Sequence, residues 1–161
     1  HLAVVGDGPQ AQSLQRLAHE LGMASRVHLL GELTEAAKYR ALCVANAFVS
    51  ASRHEGFGIV FLEAMACGLP VICYDRGGQT DFLQSGRSGY VVPLDDVRGL
   101  TTAVVKVRDD LALRCAMSRH NLTLVEQFFI DTCAARYEEI FAAAIDPLAR
   151  NAHFPPRIRA A

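Results

Sequence analysis

The sequence predicts an α/β fold, a parallel β-sheet sandwiched between helices, and three observations lead there. Short apolar runs alternate with helix-patterned segments through most of the chain. Those runs are too uniformly apolar for strands with one wetted face, as expected of a sheet covered on both sides. Glycine turns follow the strand-like runs at Gly6–Gly8, Gly56–Gly58 and Gly77–Gly78, and in open parallel sheets ligands gather at those strand ends.

The elements read in order as follows. Leu2 to Val5 is a short buried strand, and Gly6-Asp7-Gly8-Pro9 turns it into a helix with Pro9 at the first position. Leu14, Leu17, Ala18 and Leu21 recur at helical spacing in that helix, and Gly22 ends it. Val27 to Leu30 is the next strand, and Thr34 caps a helix reaching Val44. Ala47 to Ala51 is a strand whose end, Ser52-Arg53-His54, delivers a loop beginning at Glu55. A short helix over Ile59 to Cys67 is stopped by Gly68 and Pro70. Pro70 to Tyr74 and Tyr90 to Pro93 are the remaining strands, with Gly77-Gly78 and a short segment Thr80 to Gln84 between them. Beyond Asp95 or Asp96, either of which can cap, three helices reach about Arg108, cover Leu111 to Glu126 and span Asp131 to Ala144. Residues 1–146 are expected to form one domain, and 147–161, with Pro155-Pro156 and no period, an extended tail.

Composition narrows the function. A chain of 161 residues fits one domain with a real core, 51% hydrophobic and 20% charged, and its net charge of -1 leaves no electrostatic footprint for nucleic acid. Five cysteines without a Cys-x-x-Cys pair read as buried thiols of a reducing, cytoplasmic compartment. No stretch approaches the roughly 20 apolar residues of a membrane span, and six scattered histidines offer no metal-ligand spacing, so no metal is expected. The chain starts at His1 inside a strand pattern and reads as a fragment.

Glu55-Gly56-Phe57-Gly58-Ile59-Val60-Phe61-Leu62-Glu63 is the most informative stretch. Its two glycines suit a loop whose backbone approaches a ligand, and the loop runs directly into a helix N-terminus, whose free N–H groups attract anions such as phosphate. From Gly58 to Glu63 the helix rises roughly 7.5 Å, so one carboxylate can reach past a diphosphate. Each glutamate alone fits the plainer reading of a charge complementing the helix dipole.

As a whole, the string resembles the donor site of nucleotide-sugar-dependent glycosyltransferases of the GT-B fold, in particular glycosyltransferase family 4, whose signature is Glu, seven residues, Glu. Ser52, the Glu-Gly-Phe-Gly loop, Glu63-Ala64-Met65-Ala66 and Gly68-Leu69-Pro70-Val71 carry the likeness, together with Val4-Val5-Gly6-Asp7-Gly8-Pro9 and Gly89-Tyr90-Val91-Val92-Pro93. It extends from about Leu2 through Phe141. The resemblance implies the Rossmann-like C-terminal half of a GT-B fold, truncated at its N-terminus. It implies a nucleoside-diphosphate sugar as donor substrate, no cofactor, no obligatory metal, and retaining transfer of a hexosyl group to an acceptor hydroxyl. Glu55 falls to the donor-sugar hydroxyls and Glu63 to the ribose, with the backbone of Gly56, Phe57, Gly58, Ile59 and Val60, and of Gly77 and Gly78, near the sugar and diphosphate. The departing phosphate serves as proton acceptor. The family also implies an acceptor-binding N-terminal domain as partner, and a cytoplasmic enzyme that in full length can sit peripherally at the inner face of the membrane.

Two departures stand out. After Gly77-Gly78 the family's Pro-Glu is replaced by Gln79-Thr80-Asp81, so Asp81 keeps a carboxylate with shorter reach, which bears on donor affinity and sugar choice. The Arg and Lys that contact the diphosphate in the family precede the equivalent of Leu2, so this chain alone is expected to bind weakly and scarcely turn over. Arg53, Arg76 and His54 are candidate polar partners in their place, against the usual solvated state of surface arginines and loop histidines. The resemblance implies that Gly6 and Gly8 lie near the donor or interdomain cleft and are possible donor-site residues; the same opening also fits the Gly-x-Gly-x-x-Ala fingerprint of an NAD-binding oxidoreductase domain, with Glu32 for the ribose, although the 26 residues from Gly6 exceed the usual spacing of about 20. The paired glutamates raise a glycosidase as well, but sequence spacing does not establish a flanking carboxylate geometry. A non-catalytic assembly module that pairs through an exposed sheet edge is the remaining alternative.

Overall fold

Strands and helices alternate as the sequence predicts. The computed structural model describes residues 1–145, so the expected tail over 147–161 lies outside the described residues. The order is β1 (Leu2–Val4), α1 (Ala11–Glu20), β2 (Val27–Leu29), α2 (Glu35–Val44), β3 (Phe48–Ser50), α3 (Ile59–Ala66), β4 (Val71–Tyr74), β5 (Gly89–Val92), α4 (Val97–Asp109), α5 (Leu111–Val125) and α6 (Ile130–Ile145). Single 3-10 turns lie at Gly78–Asp81 and Glu126–Phe128, the first where a segment over Thr80 to Gln84 was expected.

Among the described residues the five strands pair in parallel, but the expected single sheet is divided. β1 pairs with β2, while β3, β4 and β5 form a separate ladder with Phe48 opposite Val71 and Val71 opposite Gly89. Among the described residues β1 and β3 each keep one edge without a partner strand. In the doubly wound order 3-2-1-4-5-6, such a division falls where the strand numbering reverses. Hydrophobic patterning specifies which segments are strands; it does not supply the neighbour needed to join two ladders.

The core sits on β4, which is buried along its whole length. Its side chains alternate between faces, as strand geometry requires. Val71 and Cys73 pack with Phe61, Ala64 and Met65 of α3, while Ile72 packs with Ala103 and Val107 of α4 and Met117 of α5. Asn121 of α5 is fully buried and its amide donates to the carbonyls of Leu69 and Ser88, 2.8 Å each, tying that helix to the entries of β4 and β5.

Capping fixes several helix starts. Thr34 accepts from the Ala37 amide at 3.4 Å, Asp96 from Gly99 at 2.8 Å and Asp110 from Leu113 at 2.8 Å. Asp96, not Asp95, is the cap of α4, because Asp95 adopts a left-handed φ of 62° in the preceding turn. Pro9 lies in the turn ahead of α1, whose cap is Gln10, instead of at its first position.

Three readings of burial fail, the first being the buried strand over Leu2 to Val5: the strand ends at Val4, and Leu2 and Val5 are exposed because β1 has only β2 and little else packed on it. Of the apolar stripe on α1 only Ala18 is buried, and Leu14, Leu17 and Leu21 stay exposed because a two-stranded sheet covers little of that face. Of the five free cysteines only Cys73 is buried; Cys43 and Cys115 are exposed, and Cys67 and Cys133 half-buried. Their apolar sequence neighbours marked helices, not which helix face the thiols occupy.

Candidate functional site

The loops after β3 and β4 are joined backbone to backbone. Glu55 and Gly77 form a parallel bridge, and the Gly78 amide donates to the Gly56 carbonyl at 2.8 Å. Such closeness demands glycine. A Cβ at Gly77 would overlap the Glu55 carbonyl, and one at Gly78 would lie 2.6 Å from the Gly56 carbonyl oxygen. Gln79 secures the turn from beneath: its buried amide nitrogen donates to the carbonyls of Tyr74 at 2.9 Å and Arg76 at 3.0 Å. Gln79, the first residue of the stretch Gln79-Thr80-Asp81, is thus the clamp of the loop.

Gly58 starts α3 with a left-handed φ of 88°, and a Cβ there would collide with the Phe61 ring. No side chain caps this helix. The orphan N–H groups of its first turn, which include those of Ile59 and Val60, are therefore left for an outside acceptor. Phe57 is half exposed, and its ring leans on Phe82 and Phe128 at centroid distances of 5.7 and 6.3 Å, so it braces the loop from its apolar side.

Glu63 lies one face down α3, largely buried, and accepts from the Lys38 ammonium of α2 at 2.7 Å. Lys38 also binds Glu35 at 2.9 Å. Donating to Glu63 first, then to Glu35, raises the Lys38 pKa above its ordinary 10.5, which keeps it charged. Glu63 lines an apolar groove of about 400 Å³ together with Tyr39, Phe57, Ile59, Leu62 and Phe129. Glu55 is half-buried beside the joined loops and makes no ion pair or side-chain hydrogen bond among the described residues, so its carboxylate is available.

The structure therefore brings Glu55, Gly56, Phe57, Gly58, Ile59, Val60, Gly77 and Gly78 together, with Glu63 one helix turn further on. The other candidates stand apart. His54 is exposed, and only its backbone carbonyl is engaged, by the Ser52 hydroxyl at 2.8 Å. Arg53 is paired with Asp95, which removes it as a free cation. Arg76 is exposed beside its own neighbour Asp75 at 3.8 Å, and Asp81 is exposed within the 3-10 turn. Gly6 belongs to the other sheet, where its amide donates to Gly31 at 2.8 Å, while Gly8 and Glu32 are exposed near the same strand ends. Among the described residues no group of three His, Cys, Asp or Glu could hold a metal ion, and no helix is long and apolar enough to cross a membrane.

Sequence reading missed Lys38, the Gln79 clamp and the Phe128 brace. Glu35 and Lys38 are visible as a helical (i, i+3) pair, but the bridge from Lys38 to Glu63 depends on the packing of two helices.

Comparison with known proteins bears on the whole arrangement. The family described as "Glycosyl transferases group 1" matches residues 1–110. The chain is 33% identical over 141 residues to N-acetyl-alpha-D-glucosaminyl L-malate synthase of Bacillus anthracis, covering 87% of this chain and 36% of that protein. It is 37% identical over 123 residues to the GDP-mannose-dependent alpha-(1-6)-phosphatidylinositol monomannoside mannosyltransferase of Mycolicibacterium smegmatis, covering 72% and 32% respectively. The chain thus spans about a third of the length of these relatives. Among solved structures, sucrose-phosphate synthase of Thermosynechococcus elongatus superposes with a TM-score of 0.74 at 28% identity, over 88% of this chain and 39% of that one. Anabaena Alr3699/HepE, solved in complex with UDP, shares the fold with a TM-score of 0.78 at 22% identity, over 88% and 40%. The match over residues 1–110 and these likenesses make the chain a member of the group 1 glycosyltransferases.

Proposed function

We propose that this chain is the donor-binding half of a retaining hexosyltransferase, and that the joined loops after β3 and β4 receive the nucleoside-diphosphate sugar. One observation carries the reading. Backbone-to-backbone closure of the Glu55–Gly58 and Gly77–Gly78 loops sits beside an α3 start that no side chain caps.

A diphosphate gains negative charge as the glycosidic bond breaks. Preorganised N–H donors at a helix start then stabilise the departing group more than the bound donor, by about 3–4 kcal/mol for a well-placed donor. Glu55, without an ionic partner, is free to accept hydrogen bonds from sugar hydroxyls and so orient the anomeric carbon. Glu63 holds the ribose. The bond from the anomeric carbon to the diphosphate oxygen breaks, the acceptor hydroxyl adds to that carbon, and the departing phosphate takes the hydroxyl proton.

The acceptor and further cations for the diphosphate are assigned to another domain. The exposed Leu14, Leu17 and Leu21 of α1, and the free edges of β1 and β3, support a surface covered by additional protein.

The test is thermal unfolding of the chain with UDP, GDP, ADP, their sugars and NAD, beside Glu63→Ala. One diphosphate is expected to stabilise it, approaching about 2.7 kcal/mol at 100 times its dissociation constant, with Glu63→Ala, which gives up a contact worth roughly tenfold, cutting the shift to about half. Stabilisation by NAD alone, or by no nucleotide, would overturn the reading.

A further inference from the structure

Glu63 enters the site already engaged on one side. Lys38 reaches its Oε1 from a different helix at 2.7 Å, with both side chains about four-fifths buried, while Oε2 has no partner among the described residues. Charge-assisted hydrogen bonds of this length are the strong kind. The ammonium is itself tethered by Glu35 at 2.9 Å, and its backbone amide is anchored to the Thr34 carbonyl at 2.8 Å in the capped first turn of α2. A flexible four-carbon side chain is thereby fixed at both ends.

We infer that Lys38 is a positioning residue for the nucleotide, one that holds Glu63 with Oε1 occupied and Oε2 presented to a ribose hydroxyl. The inference rests on the donor-binding reading above. Two physical consequences follow. Without Lys38 the carboxylate is free to rotate, so the hydrogen bond it offers the ribose carries an orientational cost. The ammonium also offsets the repulsion between Glu63 and an incoming diphosphate, which two like charges in a partly buried site would otherwise feel strongly. A merely structural lysine would lower affinity for every nucleotide alike; a positioning one acts through the ribose hydroxyls.

The experiment measures binding of UDP, GDP and ADP, each with its 2′-deoxy counterpart, to the full chain by calorimetry. Wild type, Lys38→Met, Lys38→Arg and Glu63→Gln are compared, with circular dichroism melts to establish folding. Wild type is expected to prefer the ribonucleotide roughly tenfold, the worth of one hydrogen bond to a charged group. Lys38→Met should bring that ratio close to one, as Glu63→Gln does, and Lys38→Arg should restore most of it. Equal weakening of both sugars in Lys38→Met, or an intact ratio there while Glu63→Gln loses it, overturns the positioning role and leaves the donor site standing. A wild type that binds neither form, or both equally, overturns the assignment of Glu63 to the ribose and this inference with it. Because arginine keeps the charge, a folded Lys38→Arg keeps the question answerable where Lys38→Met unfolds.

Discussion

The loop at Gly6–Gly8 and the loop at Gly77–Gly78 both close a parallel strand, yet they are built to different tolerances. A Cβ added at Gly6 or Gly8 meets nothing within 4 Å, whereas one at Gly77 or Gly78 runs into the backbone of residues 55–57. The surrounding elements repeat the contrast. Across β1, α1 and β2 only Ala18 is buried, and Leu2, Leu14 and Leu17 are exposed, while β4 is wholly buried and α3 buries Phe61, Ala64 and Met65. A glycine turn in sequence marks only the freedom to bend. Close approach of two backbones, supported by a packed core, distinguishes a preformed cradle from an open turn.

The contrast can be broken most severely in the core. Phe61→Ala should cost about 3–5 kcal/mol, read as a lowered denaturation midpoint, whereas Leu17→Ala on α1 should stay within about 0.5 kcal/mol. Equal effects would erase the distinction between the two regions. Next in size is the loop itself. Gly77→Ala is expected to cost up to about 3 kcal/mol, because its φ of 127° strains any side chain and the added Cβ overlaps Glu55; Gly8→Ala should be nearly silent in the same melt. Asn121→Ala follows at about 1–2 kcal/mol, since the Leu69 carbonyl loses the Asn121 donor and the Ser88 carbonyl keeps only the Val71 amide.

The smallest effect is on pH dependence. Burial first, and the nearby Arg87 second, lower the His120 pKa below 6.5. The unfolded chain then binds this proton more readily than the folded one. Its contribution to stability is therefore complete above about pH 6.5 and declines as pH falls towards the lower folded-state pKa. Urea titrations between pH 5 and pH 8 should show that slope in wild type and a shallower one in His120→Gln.

Much of this was legible in the chain. The β-branched Val71-Ile72 announced β4, Gly68 and Pro70 announced the end of α3, and Thr34 announced its cap, because each signal is local chemistry. The Glu55 loop could be placed against the Gly77–Gly78 turn because parallel sheets deliver successive loops to one end. The failures have two causes. Periodicity on α1 says that Leu14, Leu17 and Leu21 form one face, not that anything covers it. The half-exposed cysteines and the bridge from Lys38 to Glu63 were decided by tertiary packing between segments distant in sequence, whereas the choice of Asp96 over Asp95 and the Gln79 clamp turned on the backbone path of a local turn, which residue types alone do not specify.

The central claim is that the nucleotide binds at the joined Gly56–Gly58 and Gly77–Gly78 loops and not at Gly6–Gly8, and amide NMR reads that choice residue by residue. Titrating the 15N-labelled chain with UDP, GDP and ADP is predicted to shift the Gly58, Ile59, Val60, Gly77 and Gly78 amides along one saturable curve while Gly6 and Gly8 hold still. Saturable shifts centred on Gly6, Gly8 and Glu32, with the 58–60 and 77–78 amides unmoved, would contradict it.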